Sequence, residues 1–130
     1  MDHGDHALGI DVGTTNVKAA IVGPDGAVHA TASRNLVADI DGERAELDPE
    51  AQWQAVVAVV ADCAAAAPGA AARVGAVGVD SQYSSIVPVR PDGTPVAPMR
   101  LWSDRRGTER SFAILAEHES DMLISKPTMV

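Results

Sequence analysis

The stretch 9-GIDVGTTNVKAAIV-22 sets two short apolar runs on either side of a tight bend. Leu8 to Val12 and Val17 to Val22 are rich in residues that favour strands, so the segment predicts a β-hairpin. Around its tip stand a carboxylate, a glycine, two hydroxyls, an amide and a lysine. A bend between strands exposes backbone N–H groups, and Gly13 lets that backbone approach a bulky oxyanion with no side chain in the way. Thr14 and Thr15 add hydroxyl donors. Asp11 can hold a magnesium ion, a hard cation that prefers oxygen ligands, and Lys18 can add positive charge opposite the same phosphates. On local chemistry alone, D-x-G-T-T suits a cradle for magnesium-bound phosphates and a plain threonine-sided turn equally. Neither helix-based phosphate loop, G-x-x-x-x-G-K-[ST] or G-x-G-x-x-G, occurs in the chain.

Outward from the bend, Pro24-Asp25-Gly26 supplies turn chemistry before a third extended run, Ala27 to Ser33, which predicts a three-strand antiparallel meander. Residues 38–48 are acidic and read as a surface connection. Asp48-Pro49-Glu50 then starts a helix, with a capping side chain, a proline that loses no hydrogen bond and an acid at the favourable end of the dipole. Trp53, Val56, Val57, Val60 and Ala64 recur at helical spacing as its apolar stripe, and Pro68-Gly69 stops it. Cys63 lies close to that stripe and reads as a small buried thiol, since no base or cation adjoins it. The run 73-RVGAVGVD-80 predicts a buried strand, with its carboxyl end where a ligand is expected. Ile86 to Val89, a second Pro-Asp-Gly turn at 91–93 and 97-APMRLWSD-104 suggest a further hairpin. Phe112, Leu115 and Ala116 mark the inner face of a last helix from about Arg105 to His118. The order predicts an α/β fold with a mixed sheet and helices packed against it.

At 130 residues the chain suits one domain, and 46% apolar with only 3% aromatic residues predicts a core of small and branched side chains. Eighteen acids against ten Lys plus Arg argue against a nucleic-acid groove or an anionic membrane surface. The single cysteine excludes an internal disulfide and gives no zinc signal. The start, MDHGDHALGI, lacks the basic character of a signal peptide, and Asp62 interrupts the most apolar run, so a cytoplasmic protein is expected. His3 and His6 alternate with Asp2 and Asp5 in residues 1–7, which read as a flexible terminus rather than a metal site.

The opening stretch resembles the first phosphate motif of the sugar kinase, Hsp70 and actin superfamily. Two later segments are similar to the FGGY carbohydrate kinases: 46-ELDPEAQW-53, and 74-VGAVGVDSQYSSIVPVRPDGTPVAPMRLWSDRRGTE-109 with its sugar loop and W-x-D-x-R run. The resemblance implies a ribonuclease H-like (actin-like ATPase) fold. Residues 8–130 would be the N-terminal portion of the first lobe, with the rest of that lobe and the second lobe absent. It also implies transfer of a phosphate from ATP, with Mg²⁺, to a sugar, ketose or polyol hydroxyl, and allows a homodimer of the full-length enzyme. Carried over by position, Asp11, Gly13, Thr14, Thr15 and Lys18 face magnesium and phosphate. Gln82, Tyr83 and Ser84, together with Trp102, Ser103, Asp104 and Arg105, face the acceptor. Xylulokinases show Met-His, and glycerol kinases Arg-Glu, where this chain has Tyr83-Ser84, so neither substrate transfers directly.

Each later assignment has a plainer alternative. Trp102 could anchor the core, Asp104 could cap the last helix, Arg105 could be a solvated charge, Tyr83 could pack, and Asp80 could merely end its strand. The family's catalytic base is an aspartate further downstream, so no catalytic residue is expected in this chain and the isolated piece is expected to be inactive. Two competing readings remain: an Hsp70- or actin-like ATPase, which gives no reason for the DPEAQW and LWSDRR segments, and a non-catalytic interaction fragment, for which apolar surface otherwise covered by the rest of the lobe is the feature to watch.

Overall fold

The computed structural model describes residues 4–117 of the chain. The expected meander is formed by β1 (His6–Val12), β2 (Asn16–Val22) and β3 (Val28–Asn35), each antiparallel to the next. A short hairpin follows, β4 (Asp39–Asp41) and β5 (Arg44–Leu47). Then come α1 (Pro49–Ala66), the single turn α2 (Pro68–Ala71) and β6 (Val74–Ser81), which lies parallel to β1 and completes the order β3-β2-β1-β6. A second sheet, β4-β5-β7, is closed by β7 (Met99–Arg100), and α3 (Thr108–Glu117) ends the described chain.

Alternation in β2 turns Val17, Ala19 and Ile21 inward, all buried, and leaves Lys18 exposed on the other face. Helix α1 covers the inward face of β2 and β3. As expected, Asp48 caps it by accepting the Glu50 N–H at 2.9 Å, with Pro49 in the first turn. Its inner face, however, is Gln52, Ala55, Val59 and Cys63, one residue out of step with the expected stripe, and Trp53 is 58% exposed. An alanine- and valine-rich helix has little polar surface to fix its rotation, so the sheet it packs on decides which face turns inward. Cys63 is fully buried, its thiol on the Ala19 carbonyl at 3.5 Å, and burial pushes its pKa up.

The first strand begins at His6, inside the segment read as a loose terminus. The His6 N–H donates to the Arg73 carbonyl at 3.0 Å, Asp5 pairs with Arg73 at 2.6 Å, and the buried His6 ring lies 4.8 Å from that of His29. Residues 38–48 are likewise more than a connection, for they form the β4–β5 hairpin. Gly42 takes the left-handed conformation its bend requires (φ +58°), and Ala45 and Leu47 are buried. The missed signal was Asp41-Gly42, a common hairpin dipeptide.

The hairpin expected beyond residue 86 is reduced to isolated bridges, Ile86 to Arg100 and Val89 to Pro95, around a turn with Gly93 at φ +86°. Pro88, Pro91, Pro95 and Pro98 remove the donors a longer ladder would need. Strand β6 is not buried as expected: Val77 and Val79 are exposed, because α1 lies over β2 and β3 and no described element covers this edge. The last helix starts at Thr108, later than expected, and buries no residue; Phe112 is exposed and Leu115 only half-buried. His118, where it was expected to end, lies outside the described residues. No helix among the described residues is long and apolar enough to cross a membrane.

Candidate active site

The parallel pairing of β1 with β6 brings the bend after β1 beside the loop after β6, with Asp11 opposite Asp80 and Val12 opposite Ser81. Between them opens a cleft of about 500 Å³. One wall is Asp11, Gly13 and Thr14; the other is Ser81, Gln82, Tyr83 and Ser84, with Trp102 reaching in from the segment after β7. Seven residues singled out in the sequence thus share one cavity, although 91 positions separate the first from the last (102 − 11).

The bend is tightly built. The Gly13 N–H donates to the Asn16 carbonyl at 3.0 Å, and a Cβ at Gly13 would sit 2.8 Å from that same oxygen, so only glycine fits. The Thr15 carbonyl accepts the Leu36 N–H at 2.8 Å, which ties the bend to the end of β3. The N–H groups of Thr14 and Thr15 make no backbone hydrogen bond among the described residues, which leaves donors for an anion. Asp11 is half-exposed and its only ion pair among the described residues is a loose one, Lys18 Nζ at 3.6 Å, itself exposed. An accessible carboxylate, a backbone with no side chain and free amide donors fit a metal-chelated polyphosphate. Thr15 is exposed on the turn, and Lys18 lies across the hairpin, lining the open face of the sheet with Asp11 rather than the cleft.

On the opposite wall the side chains divide by role. Tyr83 is 88% and Trp102 65% exposed, so neither anchors the core, and both present ring surface to the cleft. Ser84 holds a left-handed backbone (φ +58°), unusual for a residue with a side chain and frequent at binding sites. Gln82 turns its carbonyl oxygen to the Thr14 hydroxyl at 3.0 Å and the Ser85 hydroxyl at 2.8 Å. Ser81 and Ser85 were missed in the sequence; nothing in their local spacing separates them from ordinary loop serines.

The other residues assigned to the acceptor segment lie elsewhere. Ser103 and Arg105 are exposed and do not line the cleft, and the Arg105 backbone N–H donates to the Glu43 carbonyl at 2.8 Å. The Asp104 carboxylate accepts the Ala45 N–H at 3.1 Å and pairs with Arg106 at 2.6 Å, while Arg106 also holds Glu46 at 2.5 Å. It does not cap α3, which begins four residues on. Together with Leu101 N–H on the Ala45 carbonyl at 3.0 Å, this network clips the Trp102 segment to β5.

Hydrogen bonds from Arg106, then from the Ala45 N–H, hold the Asp104 carboxyl well below the usual carboxylate range, and Arg106 does the same for Glu46. A carboxylate whose pKa falls on folding stabilises the fold above its unfolded value of about 4, and that contribution is lost as pH falls below it. Thermal unfolding followed by circular dichroism should therefore show a wild-type melting temperature that drops below about pH 4. Asp104→Asn should melt lower at pH 7 and depend less on pH in the acid range; identical profiles would remove the network from the stability of the segment.

Residues 6–128 match the profile of the FGGY family of carbohydrate kinases, N-terminal domain. Among curated relatives, a glycerol kinase of Citrifermentans bemidjiense is 32% identical over 107 residues, covering 81% of this chain and 22% of its own length. An apulose kinase of Pectobacterium atrosepticum is 32% identical over 121 residues, covering 92% and 24%. The crystal structure of xylulose kinase from Rhodospirillum rubrum superposes with a TM-score of 0.81 at 28% identity, over 86% of this chain and 23% of that one. The fold is thus the ribonuclease H-like (actin-like ATPase) arrangement expected from the sequence. The chain spans less than a quarter of the length of these proteins.

Proposed function

Because the chain belongs to the FGGY family of carbohydrate kinases, through their N-terminal domain, we propose that it forms the phosphate- and acceptor-binding part of an enzyme that phosphorylates a hydroxyl of a sugar, ketose or polyol. ATP is the proposed donor and Mg²⁺ its counterion. The observation that carries this reading is the shared cleft: the Asp11-Gly13-Thr14 bend forms one wall, and Tyr83, Ser84 and Trp102 stand across it.

Magnesium, when bound, would supply positive charge that offsets the charge of the phosphates. Asp11 is the side chain placed to hold it, directly or through water. Gly13 lets the backbone approach the phosphate, and the N–H groups of Thr14 and Thr15 face charge that builds on the transferred group. Lys18, on the other side of Asp11, lowers the cost of gathering negative charge there. Tyr83 and Trp102 offer faces to the C–H surface of a sugar, and the Ser84 hydroxyl offers a polar contact. Holding donor and acceptor in one cleft supplies the orientation such a transfer needs. In this reading the carboxylate that takes the acceptor's proton lies in a part of the protein outside these 130 residues, so this chain alone binds without turnover. The buried, unpaired Cys63 suits a reducing cytoplasm, where ATP is plentiful.

The test is ATP- and Mg²⁺-dependent phosphorylation by the full-length gene product, with glycerol, D-xylulose, apulose and gluconate offered in parallel. Turnover of at least one sugar or polyol supports the reading. ATP hydrolysis that none of them accelerates would replace it with an ATPase of another kind.

A further inference from the structure

Ser85 joins two segments that approach only in the folded chain. Its hydroxyl oxygen accepts the Trp102 backbone N–H at 3.2 Å, and its proton goes to the Gln82 side-chain oxygen at 2.8 Å. That oxygen also takes the Thr14 hydroxyl proton at 3.0 Å, which fills both of its lone pairs. The Gln82 amide nitrogen points the other way, to the Met99 sulfur at 3.6 Å. The direction of every bond is therefore determined: Trp102 N–H to Ser85, Ser85 O–H to Gln82, Thr14 O–H to Gln82.

The backbone around the chain of bonds is rigidly held. The Gln82 N–H donates to the Val12 carbonyl at 3.0 Å, and Ile86 and Arg100 exchange a pair of backbone hydrogen bonds at 2.9 and 2.8 Å. Ser84, in its left-handed conformation, turns the loop so that Tyr83 points outward while Ser85 faces Trp102. In this arrangement Gln82 and the Thr14 hydroxyl are committed to each other, not to a ligand. The phosphate bend and the Trp102 segment share one set of hydrogen bonds.

We propose that Ser85 is a positioning residue that links the phosphate bend to Trp102 through Gln82, so that occupancy of the acceptor side tightens binding on the phosphate side. This rests on the carbohydrate-kinase reading for its ligands, but not for its geometry. Linked sites of this kind change each other's affinity reciprocally, typically by about fivefold or more. A serine suits the place because one oxygen can accept from a backbone N–H while donating to an amide carbonyl, and alanine can do neither.

Three measurements test it. In the full-length gene product, Ser85→Ala should raise the acceptor KM about fivefold or more at saturating ATP and the ATP KM by a similar factor at saturating acceptor, with Ser85→Thr restoring the wild-type values. Saturating D-xylulose, or glycerol if that is the acceptor, should tighten MgADP binding in wild type and in Ser85→Thr but not in Ser85→Ala. The third measurement needs no turnover. With 5-fluorotryptophan incorporated into the full-length gene product and the Trp102 fluorine resonance assigned by its loss in Trp102→Phe, Ser85→Ala should narrow that resonance as the ring becomes more mobile and increase its relaxation by a soluble paramagnetic agent. Ser85→Thr should change neither. Unchanged tryptophan mobility in Ser85→Ala would overturn the proposal whether or not the protein phosphorylates sugars. Equal impairment of the alanine and threonine variants would also overturn it, by reducing Ser85 to a packing position.

Discussion

On the proposed carbohydrate-kinase reading, Asp11→Asn is expected to lower the kcat of the full-length gene product by at least about a hundredfold, with the fold intact. The carboxylate stands at the end of β1 on the wall of the cleft, half-exposed, where its only ion pair among the described residues is Lys18 at 3.6 Å. So open a pair contributes little to stability, and its loss should change unfolding free energy by no more than about 0.5 kcal/mol. Asparagine keeps the shape and one oxygen but removes the charge that would hold a divalent cation. Raising Mg²⁺ should recover part of the lost rate if Asp11 acts through the metal. Steady-state kinetics across a magnesium series, beside a thermal melt, checks both halves. A variant within fivefold of wild type would take Asp11 out of the mechanism.

Gly13→Ala should damage stability and activity together. The new methyl would sit 2.8 Å from the Asn16 carbonyl oxygen, a backbone atom that cannot swing aside. That oxygen is the acceptor of the Gly13 N–H, so relief of the clash must open the hydrogen bond closing the bend. Overpacking of this kind costs about 1–3 kcal/mol. The bend would move by a fraction of an ångström to an ångström, and misplacement on that scale lowers a positioned reaction by about a hundredfold. Urea unfolding and kinetics on Gly13→Ala and Thr15→Ala should separate the two contributions. Thr15 is exposed and its side chain supports no described contact, so its loss should leave stability nearly unchanged. Wild-type stability in Gly13→Ala would show that the bend is looser than described.

How much was legible beforehand depended on how local the cause was. The hairpin around Gly13, the Pro24-Asp25-Gly26 turn and the Asp48 cap are produced by residues within a few positions of one another, and each formed where its chemistry demanded. The Asp41-Gly42 bend was just as local and was passed over because the segment around it is acidic and lacks a clear alternation. The facing side of α1 was not legible, since a helix with apolar residues nearly all round is oriented only by what it packs against. Strand β6 illustrates the same point: an apolar run announces a strand, but only its neighbours decide whether it is covered.

In the cleft, the sequence by itself determined which groups are present: a carboxylate and a glycine-bearing bend, and a polar loop that follows a valine-rich strand. Tertiary structure alone decided which of them meet. Parallel pairing of β1 and β6 sets Thr14 against Gln82, 68 positions apart, and the β5 hairpin draws Asp104 away from the cleft into a clip for Trp102. The physical reason is one of range. Turn and cap preferences act over a few bonds of the chain and can be read along it, whereas the hydrogen bonds that assign Gln82, Ser85 and Asp104 their roles exist only after distant strands have found their register.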